Sequence, residues 1–156
     1  MAEKQVFSFR TEPKGDLYRA LIDLGAQRCP TVLLVVRDQR MLGAEAQRIL
    51  KSLTTLLIDA QEGTQWPGTF LHGDKAVVYR YRAGTELIEA LKSLADGLYS
   101  WQHPRLPEDL CFLRSDGTPW LASIAHDGDA YLELTRDELQ ELFNLEPRLT
   151  KYVSAD

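Results

Sequence analysis

Cys111, His126 and the neighbouring aspartates Asp127 and Asp129 supply the residue types of a thiol nucleophile, a base and an orienting carboxylate. That chemistry needs an exposed thiol in an electropositive setting, so that it ionises near neutral pH. Cys111 lies instead inside the apolar run Leu110-Cys111-Phe112-Leu113, where a buried and inert thiol is expected. A metal centre can be drawn from His72, Asp74, His103, His126, Asp127 and Asp129. No pair among them has the close spacing of structural zinc, and Asp127-Gly128-Asp129 is too short for a calcium loop. Neither a Walker loop nor Gly-x-Gly-x-x-Gly occurs, so nucleotide binding has no motif behind it. No catalytic residue, metal or cofactor is therefore expected, and a small enzyme using Cys111 and His126 stands as the alternative.

The elements that must position these residues are legible from periodicity. Asp116-Gly117 and Asp127-Gly128 interrupt three apolar runs over residues 109–134, which predicts a three-stranded antiparallel meander. Its expected inward residues are Leu110, Phe112, Trp120, Ala122, Ile124, Ala130, Leu132 and Leu134. The β-branched run Thr31–Val36 reads as a central strand covered on both faces. Helices are expected at about 16–24, with Gly25 as the stop, then over 44–60 and 85–98, and finally after the capping box Thr135-x-x-Glu138. Residues 61–73 read as a loop. Residues 75–82 read as a strand with Val77, Tyr79 and Tyr81 on one face and Arg80 and Arg82 on a wetter one, an edge strand whose arginines meet helix carboxylates. The tail after Pro147 is polar and weakly specified. The expected fold is one α+β domain over 1–156, with a mixed or antiparallel sheet, a C-terminal three-stranded meander and about four helices.

The balance of 23 acidic against 18 basic residues, a net charge of −5, argues against a broad phosphate-binding face. Nucleic acid is not an expected partner, and the Arg80/Arg82 pair interleaved with tyrosines reads better as sheet structure or a protein contact. No run approaches the ~20 apolar residues that span a bilayer, and the N-terminus lacks the apolar core of a signal peptide. A cytoplasmic protein without a membrane partner is expected, with its oligomeric state open. An acidic surface suits a basic protein partner, because complementary charge speeds encounter and sets register. The residues expected to meet such a partner are Trp66, in its Gly- and Pro-rich loop, and the late carboxylates Asp127, Asp129, Glu133, Asp137, Glu138 and Glu141. The structural alternative for those carboxylates is a solvated helix face with acids near its N-terminus.

The series Leu106-Pro107-Glu108-Asp109-Leu110-Cys111-Phe112-Leu113, Asp116-Gly117, Trp120-Leu121-Ala122-Ser123-Ile124-Ala125-His126 and Asp129-Ala130 resembles small bacterial immunity-type proteins encoded beside secreted polymorphic toxins. It covers about the last third of the chain. The resemblance implies a cytosolic protein that binds a cognate toxin domain and blocks it by occlusion, with no chemistry of its own. A structural or regulatory subunit of a bacterial complex is the other non-enzymatic reading.

Overall fold

Thr31–Val36 (β2) lies at the centre of the sheet, as its unbroken apolar character requires. In the computed structural model, which describes residues 2–154, Val32 and Leu34 face one apolar layer while Leu33 and Val35 face another. Around it run Gln5–Ser8 (β1), Leu57–Gly63 (β3), Ala76–Arg82 (β6), Glu108–Leu113 (β7), Pro119–Ile124 (β8) and Asp129–Leu134 (β9). The strand order is β1-β9-β8-β7-β2-β6-β3, and every neighbouring pair is antiparallel. Gln65–Trp66 (β4) and Thr69–Phe70 (β5) make a separate two-stranded hairpin. The sheet is thus antiparallel, and the meander β7-β8-β9 stands as its Asp-Gly turns predict.

Four α-helices form among the described residues: Gly15–Arg28 (α1), Ala44–Ser52 (α2), Thr85–Leu94 (α3) and Arg136–Leu145 (α4). Their apolar stripes, including Tyr18, Leu21, Leu87, Leu91, Leu139 and Leu142, pack with Phe112, Leu121 and Leu132 on one face of the sheet. The capping box that opens α4 is complete: Thr135 Oγ1 accepts from the Glu138 backbone N–H at 3.1 Å, and Glu138 accepts from Thr135 N–H at 2.8 Å. Among the described residues the opposite face is covered by the β4-β5 hairpin and the chain just after it, through Trp66 and Leu71. None of the described helices is long and apolar enough to cross a membrane.

Four departures from the sequence reading have local causes. Gly25 does not stop the first helix; a Cβ there would lie 2.9 Å from the Phe112 ring, so glycine is present to let helix and sheet approach. The helix expected over 44–60 ends at Ser52. Ser52 and Thr54 hydroxyls bond back to Ile49, Leu50 and Lys51 carbonyls, a short 3-10 turn follows, and the chain pairs with β6 as an edge strand. Consequently β6 is interior rather than an edge, and Arg80 meets Asp59 on β3, not a helix carboxylate. The tail after Pro147 is also specified: Leu149 is buried, and Val153 bridges to Phe9 beside β1.

Candidate functional site

Between Leu33↔Cys111 and Val35↔Glu108 the register of β2 with β7 slips, so that Asp109 and Leu110 together oppose Leu34. Such a bulge bends the strand and re-aims a side chain. Asp109 has φ of 58°, a left-handed conformation uncommon outside glycine, for which Asp and Asn carry the smallest penalty among larger residues. The effect is to turn a wholly buried carboxylate toward the hairpin side of the sheet.

That carboxylate collects donors from three distant segments. Its Oδ1 accepts from the Ala125 backbone N–H at 3.1 Å, and its Oδ2 accepts from Trp66 Nε1 at 3.0 Å and Arg37 Nη2 at 3.3 Å. Arg37, the first residue past β2, reaches Glu108 as well, with Nε 2.7 Å from Oε2. The two atoms form an ion pair, and neither has a hydrogen-bond partner among the described residues. Glu108 Oε1 accepts from the His103 backbone N–H at 3.3 Å. The guanidinium also stands over the Trp66 ring, 5.3 Å from its centre, a cation–π contact.

Two histidines border the cluster, and their partners assign their nitrogens. Arg37 can only donate, so His126 Nδ1, 3.3 Å from Arg37 Nη2, carries a lone pair; its Nε2–H faces Asp127 Oδ1 at 3.3 Å. By the same logic His103 Nε2 accepts from the Arg37 backbone N–H at 3.1 Å, while Nδ1 donates to the Leu106 carbonyl at 3.1 Å. Glu108, Asp109 and His126 each place one ligand-type atom within 4.8 Å of the others. Of the six groups that sequence alone suggested for a metal, only His126 belongs to this trio. Asp109 sits at the start of the meander and Glu108 beside it, yet no spacing rule marks either, since a bulge and a residue 72 positions away create the site. The one sequence signal is an acidic pair opening a strand that is buried along its whole length.

Cys111 is fully enclosed beneath this cluster, its Sγ–H 3.2 Å from the Asp109 carbonyl, and burial pushes its thiol up to about 12. Burial raises Cys29 to about 12 as well. Burial disfavours the thiolate at both positions, which weighs against the Cys111 and His126 pairing.

The residues expected to meet a partner divide. Trp66 is not an exposed anchor: it is 4% exposed, because its indole fills the hairpin side of the sheet and its N–H is taken by Asp109. Phe70 on the same hairpin is the exposed aromatic, at 59%. The Trp66-Pro67-Gly68-Thr69 turn has Gly68 at φ of 87°, and a Cβ there would strike Ile124 at 2.8 Å, so the hairpin tip rests on β8. Asp129 pairs with that same Ile124, and Glu133 shares the face of Tyr131 on β9. Asp127, Asp129 and Glu133 therefore border the hairpin's surroundings. Asp137, Glu138 and Glu141 lie on α4 across the sheet. Glu138 is engaged by Thr135 and Arg114, and Glu141 pairs with Arg28 at 2.9 Å.

Comparisons with protein-family models, curated proteins and solved structures find no match for this chain.

Proposed function

We propose that the protein is a non-enzymatic binding protein of the inhibitor or immunity kind, which blocks a basic partner domain by covering it. The observation that carries this reading is the surface around the β4-β5 hairpin. There Pro67, Phe70, Pro119 and Tyr131 line an open hollow of about 500 Å³, and Asp129 and Glu133 flank Tyr131 on the same face of β9. An aromatic centre with a charged rim is the usual anatomy of a specific protein interface, and the sign of this rim suits a basic partner. The hairpin is held from beneath by the Trp66 to Asp109 bond, so the exposed Phe70 is presented on an ordered support rather than on a free loop.

The test is binding to the purified product of a co-encoded toxin gene, measured by calorimetry and by relief of the toxin's activity. Phe70→Ala and the triple charge reversal Asp127→Lys, Asp129→Lys, Glu133→Lys are expected to abolish binding without unfolding the protein. Full-strength binding by both variants, or no binding by the native chain, would overturn the proposal.

A further inference from the structure

We infer that Glu108, Asp109 and His126 form a binding site for a divalent transition-metal ion, and that Arg37 is a displaceable cation held in its place. Two carboxylates and one imidazole converging from one side are a donor set suited to such ions. The lone pairs already point inward. His126 Nδ1 is the unprotonated nitrogen because Arg37 lies against it, and its Nε2–H is held by Asp127, the carboxylate–histidine arrangement that orients metal-ligating imidazoles. Asp109 is braced in the same way by the Ala125 N–H and the Trp66 indole, which stay in place when Arg37 leaves.

The fit of Arg37 is the second observation. Its Nη2 is 3.3 Å from both Asp109 Oδ2 and His126 Nδ1, long for bonds from a charged donor, which normally close to about 2.7–2.9 Å. Its Nε is ion-paired with Glu108 Oε2 at 2.7 Å, yet that buried oxygen has no hydrogen-bond partner among the described residues. Charge points the same way, since two buried carboxylates face one guanidinium. Arg37 also has somewhere to go: its side chain lines an open groove of about 690 Å³, with Asp38, Glu62 and Asp74 along the walls. Metal binding therefore requires only that the guanidinium swing from the carboxylates to this groove.

Zn2+ and Co2+ titrated into the intact protein test the site, by calorimetry and by the visible absorption of Co2+ with a nitrogen and oxygen donor set. One ion is expected per chain. His126→Asn, at a side chain that is 41% exposed, and Glu108→Gln are each expected to weaken binding about tenfold or more. Arg37→Met removes the competing cation and is expected to bind Zn2+ more tightly, with a larger rise in Tm on metal addition than the native chain. If Arg37→Met does not fold alone, regain of structure with Zn2+ supports the same exchange, and failure to regain it overturns the exchange. Absence of binding at millimolar metal, or binding unchanged in both His126→Asn and Glu108→Gln, overturns the site.

Discussion

Trp66 Nε1–H donates to Asp109 Oδ2 at 3.0 Å, and this bond joins the hairpin that covers one face of the sheet to a bulge at the sheet's centre. The hairpin is otherwise a two-residue by two-residue ladder, too short to be stable by itself. Trp66→Phe keeps most of the apolar volume but leaves Asp109 one donor short. The cost is expected to be about 1–3 kcal/mol in denaturant unfolding. Limited proteolysis should then cut within residues 64–73 before the rest of the chain opens; uniform resistance there would contradict the link.

Asp109 combines a left-handed φ with a buried charge, and two substitutions separate these effects. Asp109→Ala leaves Arg37 and the Trp66 and Ala125 N–H groups without their acceptor and also meets backbone strain. A loss of about 3–5 kcal/mol is expected, as for breaking a buried ion pair. Asp109→Asn tolerates the backbone and can still accept, so its loss should be clearly smaller. Equal losses in equilibrium unfolding would mean that the oxygen acceptor contributes nothing.

Gly25→Ala improves helix propensity by about 1 kcal/mol on general grounds. Here the new methyl meets the Phe112 ring at 2.9 Å, a ring that is itself fixed edge-on to Trp120. Net destabilisation of about 1–3 kcal/mol is expected from overpacking. Combining it with Phe112→Leu should recover part of that loss, and simple additivity in the double-mutant cycle would show that the two positions do not touch.

Both thiols lie deep in the fold with their pKa values pushed up to about 12 by burial. A thiol reagent at pH 8 should modify the native protein no faster than it unfolds, while both cysteines react at once in denaturant. Rapid labelling of one thiol in the folded state would revive a nucleophilic role.

For Glu138, burial opposes ionisation, but the Thr135 N–H and the Arg114 guanidinium outweigh it and hold the carboxyl below its ordinary value of 4.5. A carboxylate lowered by folding stabilises the native state above its ordinary value, and that contribution fades as pH falls through the lowered one. The stability gap between the native chain and Glu138→Gln should therefore be constant near neutrality and shrink below about pH 4.5. A gap that persists in strong acid would assign the effect to hydrogen bonding alone.

Much of the architecture was legible from local pattern. The run Thr31–Val36 could only be a doubly covered strand, the two Asp-Gly turns fixed the meander, and Thr135 with Glu138 marked the start of α4. Period and turn chemistry are properties of neighbouring residues, so sequence alone determines them. Helix ends were less legible. Whether Leu53, Leu56 and Leu57 continue a helix or turn into an edge strand depends on β6 offering a partner, which neighbouring residues do not encode.

The site belongs wholly to the tertiary level. Arg37, Trp66, Glu108, Asp109 and His126 come from four separate segments, and each alone reads as an ordinary surface or core residue. A one-residue slip between β2 and β7 turns Asp109 toward the hairpin, the hairpin folds back over the sheet, and the indole N–H must then find an acceptor in a place water does not reach, while the partly exposed guanidinium reaches in from the edge. From sequence, Trp66 was an exposed anchor and the carboxylates of 127–141 a single acidic surface. The fold buried the first and split the second between two faces of the sheet, because alternation along β9 and the turn into α4 send neighbouring residues to opposite sides.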